Sequence, residues 1–89
     1  TDDSDPIDTV PHGDADPERA IVAQDLARRV REEIGRLSPK LRDALLLAAS
    51  GDYSYGEIAL MLGVPLGTVK WRVSEARRLI AVRMEHRNM

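Results

Sequence analysis

The chain contains no cysteine, which excludes disulfides, thiolate zinc sites and cysteine nucleophiles and leaves helix packing alone to hold a small core. A reducing, cytoplasmic setting is therefore expected. Long apolar runs are also missing. The longest, Ala44 to Ala49, is six residues against the roughly 20 that span a bilayer, so no membrane insertion is expected. No basic-then-apolar signal pattern opens the chain, and no segment shows a strand's strict alternation bounded by turn signals. The remaining fold class is all-α. At 89 residues there is room for one small domain, which argues against a large substrate-enclosing fold. The first residue is Thr1 rather than Met, and the opening stretch has the composition of a linker, so the sequence is expected to be a piece of a longer protein.

The formal net charge of −2 conceals a division along the chain. Residues 1–25 hold eight acids (Asp2, Asp3, Asp5, Asp8, Asp14, Asp16, Glu18, Asp25) against Arg19 alone, giving −7. Residues 26–89 hold the other twelve basic and seven acidic side chains, giving +5. From Val64 onward Lys70, Arg72, Arg77, Arg78, Arg83 and Arg87 face only Glu75 and Glu85. Positive charge therefore gathers in the last third, the footprint of a surface that meets a polyanion.

Residues 1–15 are rich in Asp, Pro and Gly, with Ile7 and Val10 as their sizeable apolar groups, too few to offset the entropy of ordering. They are expected to be an acidic flexible linker, followed by a domain over residues 16–84 and a short tail over residues 85–89. Asp16-Pro17-Glu18 supplies a cap acceptor, a proline at the first helical position and a first-turn acid, so a helix is predicted from about Pro17 to Arg36. Ala23, Leu26, Ala27, Val30 and Ile34 recur at spacings of three and four and form its expected buried stripe. Ser38-Pro39 repeats the start signal and predicts a second helix to about Ser50, with Leu41, Ala44, Leu45 and Ala48 on one face and Leu46, Leu47 and Ala49 widening it. Gly51 can end that helix. Ser54-Tyr55-Gly56-Glu57 is a capping box that opens a third, short helix to Leu62. Gly63 closes it, and Pro65 is expected to open a fourth helix running to about Arg83. The architecture predicted is a four-helix domain with a C-terminal helix-turn-helix.

That motif needs a small residue where two short helices touch and a glycine in the tight turn between them; Ala59 and Gly63 occupy those places. The following helix must then bury one side and present the other to a groove. At 100° per residue, Val69, Val73, Ala76 and Ile80 fall within an arc of about 60°. Arg78, Trp71, Ser74 and Glu75 lie opposite, flanked by Lys70, Arg72 and Arg77, with Thr68 at the helix start. These eight residues are the candidate DNA-binding set. Long cations suit phosphate oxygens or guanine edges, whereas a carboxylate only accepts, for instance from a cytosine amino group. Glu75 accordingly has three readings: it contacts a cytosine, it orients Arg72 or Arg78, or it meets a protein. Trp71, the single tryptophan, either packs on DNA, fills a pocket in a protein partner, or folds back over the edge of the core.

Other polar residues have plainer explanations. His12 and His86 have no ligand cluster at metal spacing, Ser38 and Ser54 are caps without an activating histidine, and Glu32 and Glu33 form a solvated face with Arg28, Arg29 and Arg36. Gly63 to Gly67 lacks the Lys-Ser or Lys-Thr of a phosphate loop. Neither catalysis, a cofactor nor a metal is expected.

Leu37-Ser38-Pro39 with Leu41-Arg42, then Ser54-Tyr55-x-Glu57-Ile58-Ala59, Leu62-Gly63-Val64-Pro65, Gly67-Thr68-Val69-Lys70-x-Arg72 and Ala76-Arg77, fall in the order and spacing of a known family. Over about residues 17–84 the chain resembles region 4 of bacterial sigma-70 family sigma factors of the extracytoplasmic-function group. The resemblance implies recognition of double-stranded promoter DNA at the minus-35 element while docked on the beta flap of the RNA polymerase core. It also implies an anti-sigma factor as a second partner, and makes the acidic stretch the linker to a region 2 that melts the minus-10 element. Two positions depart from the family pattern: Trp71 stands where a small serine is usual, and Glu75 where a basic residue is common. The alternatives are another bacterial helix-turn-helix regulator, or a sigma-like mimic that keeps the fold to bind protein and not DNA.

Overall fold

The structure, a computed structural model, describes residues 16–87; the expected linker over residues 1–15 lies outside them. Among the described residues the regular structure is four helices: α1 (Pro17–Arg36), α2 (Pro39–Ala49), α3 (Tyr55–Leu62) and α4 (Leu66–Arg87). Each start follows from local chemistry. The Asp16 carboxylate accepts the Glu18 N–H at 3.0 Å ahead of Pro17, and Ser38 accepts the Leu41 N–H at 3.4 Å ahead of Pro39. These bonds satisfy donors that have no partner within a helix's first turn. In the capping box of α3, Ser54 Oγ accepts the Glu57 N–H at 3.1 Å while Glu57 accepts the Ser54 N–H at 2.8 Å.

Two boundaries differ from the sequence expectation. Pro65 stands just before α4 rather than inside it, and its carbonyl accepts the Thr68 and Val69 N–H groups at 3.0 and 3.3 Å. A proline has no N–H to place in the helix, but its carbonyl serves as well as any other. Helix α4 also runs a turn beyond Arg83, to Arg87, because no glycine or proline follows Arg83 to stop it.

The last helix packs against each of the other three. The core they enclose consists of Leu37, Ala44, Leu45, Ile58, Ala59, Val69, Val73 and Ala76, with Ile34, Leu41, Leu47, Ala48, Leu62, Leu79 and Ile80 packed around it. Most of these positions were legible as apolar stripes.

The stripe of α1 is corrected by the structure. Val30 and Ile34 are half-buried as expected, but Ala23, Leu26 and Ala27 are exposed, Leu26 by 51%. Spacing identifies which side of a helix is apolar, and whether a neighbour covers it depends on the tertiary arrangement. The exposed half of α1 is held instead by its own side chains: Asp25 accepts from Arg28 and, at 3.0 Å, from Arg29, and Arg28 donates to Glu32 at 2.8 Å. Glu33 is the second correction. Expected on a solvated face, it is 1% exposed. It lies three residues after Val30 and four before Leu37, on the packing side of the helix. Arg36 approaches its carboxylate at 3.9 Å.

Candidate nucleic-acid interface

The pair α3 and α4 is joined by a turn set at Gly63, which adopts φ 69° and ψ 37°. L-residues with a Cβ resist this left-handed conformation and glycine does not. The turn is locked by the Val64 N–H donating to the Ala59 carbonyl at 3.0 Å and by the Gly63 N–H reaching Leu60 at 3.3 Å. Ala59 is buried beside the fully buried Ile58, so the small residue sits at the packed side of α3, where the motif requires it.

From that turn α4 leaves with one side fixed. Val69, Val73 and Ala76 are buried and Ile80 is half-buried, as the angular arithmetic required. Lys70, Trp71, Ser74, Arg77 and Arg78 are exposed, and Thr68, Arg72 and Glu75 are half-buried. All eight candidate residues therefore lie on one helix with some surface open to a partner. Trp71 is 61% exposed, which removes the reading in which it folds back over the core. Such exposure is unusual for so large an apolar group.

The face carries four cations, Lys70, Arg72, Arg77 and Arg78, against one carboxylate, Glu75. That carboxylate is engaged side-on by Arg78: Nε donates to Oε1 at 2.9 Å and Nη2 to Oε2 at 2.6 Å. The Arg78 hydrogen bonds hold the Glu75 carboxyl below its ordinary 4.5, outweighing the opposing effect of desolvation, and Glu75 in turn raises the Arg78 guanidinium. Both groups stay charged through the neutral range. Of the two arginines named in one of the three readings of Glu75, the structure pairs it with Arg78; the cytosine and protein readings are left open. The sequence reading did not single out the exposed apolar side chains of the helix-turn-helix. Leu60 is 84% exposed, and Met61 and Leu66 are about half exposed. Their signal was available in α3, since Leu60 and Met61 fall between the stripe positions Ile58 and Leu62.

A family model described as sigma-70, region 4, matches residues 27–80, the stretch from mid-α1 to the last buried turn of α4. The chain belongs to the sigma-70 region 4 family. Among curated proteins, this region 4 chain is 38% identical over 64 residues to the RNA polymerase sigma-H factor of Pseudomonas aeruginosa, covering 72% of the chain and 33% of that protein. It is 33% identical over 64 residues to the ECF RNA polymerase sigma factor SigW of Bacillus subtilis, covering 72% of the chain and 34% of that protein. It is 35% identical over 71 residues to the ECF RNA polymerase sigma factor SigE of Mycolicibacterium smegmatis, covering 80% of the chain and 28% of that protein. The region 4 chain thus spans about a third of the length of these relatives.

Proposed function

We propose that this chain is the part of an extracytoplasmic-function sigma factor that recognises double-stranded minus-35 promoter DNA and helps direct RNA polymerase to start transcription. The observation that carries the reading is the division of α4. Val69, Val73 and Ala76 seat it against the core, while Lys70, Trp71, Ser74, Arg77 and Arg78 stand exposed on a helix that follows a tight glycine turn. A helix held this way fits a major groove, with cations placed for the flanking phosphates.

In this reading Lys70, Arg72 and Arg77 contact phosphates, and Thr68, Trp71, Ser74, Glu75 and Arg78 face the groove. Docking on the beta flap of the polymerase core belongs to the same proposal, and the exposed Leu60 and Met61 on α3 supply apolar surface for it. Among the described residues no helix is long and apolar enough to cross a membrane, and the proposed place of action is the cytoplasm, with the polymerase. Regulation by an anti-sigma factor is proposed on a separate observation. Trp71 and Arg78, exposed on the same side of α4, are the kind of anchors that protein interfaces favour, so a protein that covered this face would block DNA.

The test is binding as a function of salt. Lys70→Ala should weaken binding to all sequences alike and flatten the slope of log affinity against log salt by about one unit. Footprinting with the full-length protein and polymerase completes it. Protection of an upstream promoter element supports the proposal; no protection while an anti-sigma protein still binds would mean that the fold serves as a mimic.

A further inference from the structure

We propose that Glu75 reads the amino edge of a cytosine and that Arg78 is a positioning residue which holds its carboxylate for that contact, so that the chain selects a C·G pair at one position of its site. This rests on the DNA-binding reading above and extends it to one base.

Recognition helices bring their N-terminal residues to base edges. With α4 beginning at Leu66, Glu75 is in its third turn and Arg78 lies almost a turn further from the groove-entering end. Arg78 nevertheless commits its side-on edge to Glu75, giving Nε–H to Oε1 and an Nη2 hydrogen to Oε2. That edge is then lost for a guanine. The carboxylate behaves differently. An ionised carboxylate has about four lone-pair sites, so each oxygen that accepts one Arg78 hydrogen keeps another site for a second donor.

The two bonds also fix the carboxylate plane. Glu75 is 24% exposed and Arg78 59%, so the acid is the more restrained partner and keeps part of its surface open. The adjacent guanidinium offsets the charge that would otherwise repel nearby phosphates.

The base follows from the chemistry of the groove. Hydrogen-bond donors in the major groove are the cytosine and adenine amino groups. Adenine sets its N7 acceptor beside its amino group, which a group that only accepts would repel, whereas cytosine presents the amino donor without one. A fixed, ionised acceptor therefore prefers cytosine. Ser74 and Trp71, exposed on the same side of α4, are left to contact neighbouring bases or sugar.

The experiment selects from a duplex library randomised over about ten base pairs, one helical turn, with the 89-residue chain and its variants. The unsubstituted chain should enrich sites with one invariant C·G pair. Glu75→Gln, which can both donate and accept, should move that position toward A·T, the pair glutamine recognises through adenine, and leave other positions unchanged. Arg78→Ala should keep cytosine as the favoured base at that position while cutting its discrimination on the order of tenfold. Arg78→Lys keeps the charge but not the two-point grip, and should resemble Arg78→Ala. Both side chains are outside the core, and circular dichroism of each variant should match that of the unsubstituted chain.

The proposal is overturned if Glu75→Gln leaves every preference unchanged, or if Arg78→Ala removes a guanine preference that Glu75→Gln does not touch, which would make Arg78 the reader. If the unsubstituted chain enriches no sequence at all, the DNA-binding reading fails and this inference falls with it. Persistent enrichment at other positions separates the two failures.

Discussion

Replacing Gly63 with alanine isolates a single energetic term. The residue sits at φ 69° and ψ 37°, and a Cβ built there has no neighbour within 4 Å. Steric conflict with the rest of the fold therefore drops out. What remains is the intrinsic preference of an L-residue against the left-handed conformation, about 1–2 kcal/mol, partly offset by the lower entropy of an unfolded alanine, about 0.4–1 kcal/mol. The net loss should be about 1 kcal/mol, which in a domain of this size lowers the melting temperature by about 4–8 °C. D-alanine, introduced by chemical ligation, reverses the sign. It is at ease where φ is positive, keeps the unfolded-state benefit, and should stabilise by about 0.4–1 kcal/mol. Gly35 serves as the control: it is inside α1 with open space at its Cβ, and Gly35→Ala should stabilise by up to about 1 kcal/mol. Thermal and urea unfolding, followed by circular dichroism with an unchanged urea slope, provide the readout. If L- and D-alanine at residue 63 shift the midpoint in the same direction, backbone handedness is not what fixes the turn.

Three further outcomes test the core and the ion pairs. Ala59→Glu forces a carboxylate into a buried site beside Ile58, at a cost of several kcal/mol, and should abolish the cooperative melt; a folded variant would mean that α3 packs in a different register. Val73→Ala removes two buried methyl groups from the centre of α4 and should destabilise by about 2 kcal/mol, measured as a shift in urea midpoint. The Asp25 carboxyl is held below its ordinary 3.8 by its hydrogen bond from Arg28, with Arg29 adding to it. Because the folded value is the lower one, its contribution is complete above about 3.8 and is lost as pH falls through the depressed value. The far-ultraviolet helical signal should therefore show a step in that acid range that Asp25→Asn lacks.

Helix boundaries were the most legible part of the fold, because they depend on chemistry within four residues: Asp16 before Pro17, Ser38 before Pro39, Ser54 with Glu57, and Gly63. The seating of α4 was equally legible, since Val69, Val73 and Ala76 recur at the helical period, with Arg78 opposite them and Lys70, Arg72 and Arg77 on the flanks. What the sequence could not supply were facts about neighbours. Leu26 and Leu46 are as apolar as Leu45, yet they are 51% and 48% exposed against 7%, a difference set by the tertiary arrangement of the described helices. Glu33 is buried because its place on α1 is shared with Val30 and Leu37, and a carboxylate at that place carries no mark of burial. At the candidate interface, eight residues could be nominated from one helix. Which arginine Glu75 would hold depended on side-chain geometry, since Arg72 and Arg78 are both three positions away.

The exposed half of α1 has a consequence for motion. Its final turns are tied to the core through Ile34 and Leu37, whereas the turns around Ile21, Val22 and Leu26 project their apolar side chains outward and rely on a carboxylate-guanidinium mesh that dissolved ions weaken. One continuous helix thus contains two levels of local stability. Amide hydrogens should exchange with solvent fastest near its start and progressively more slowly toward Leu37, and added salt should steepen that gradient. In that case α1 would open from its Pro17 end while the end at Leu37 stays fixed.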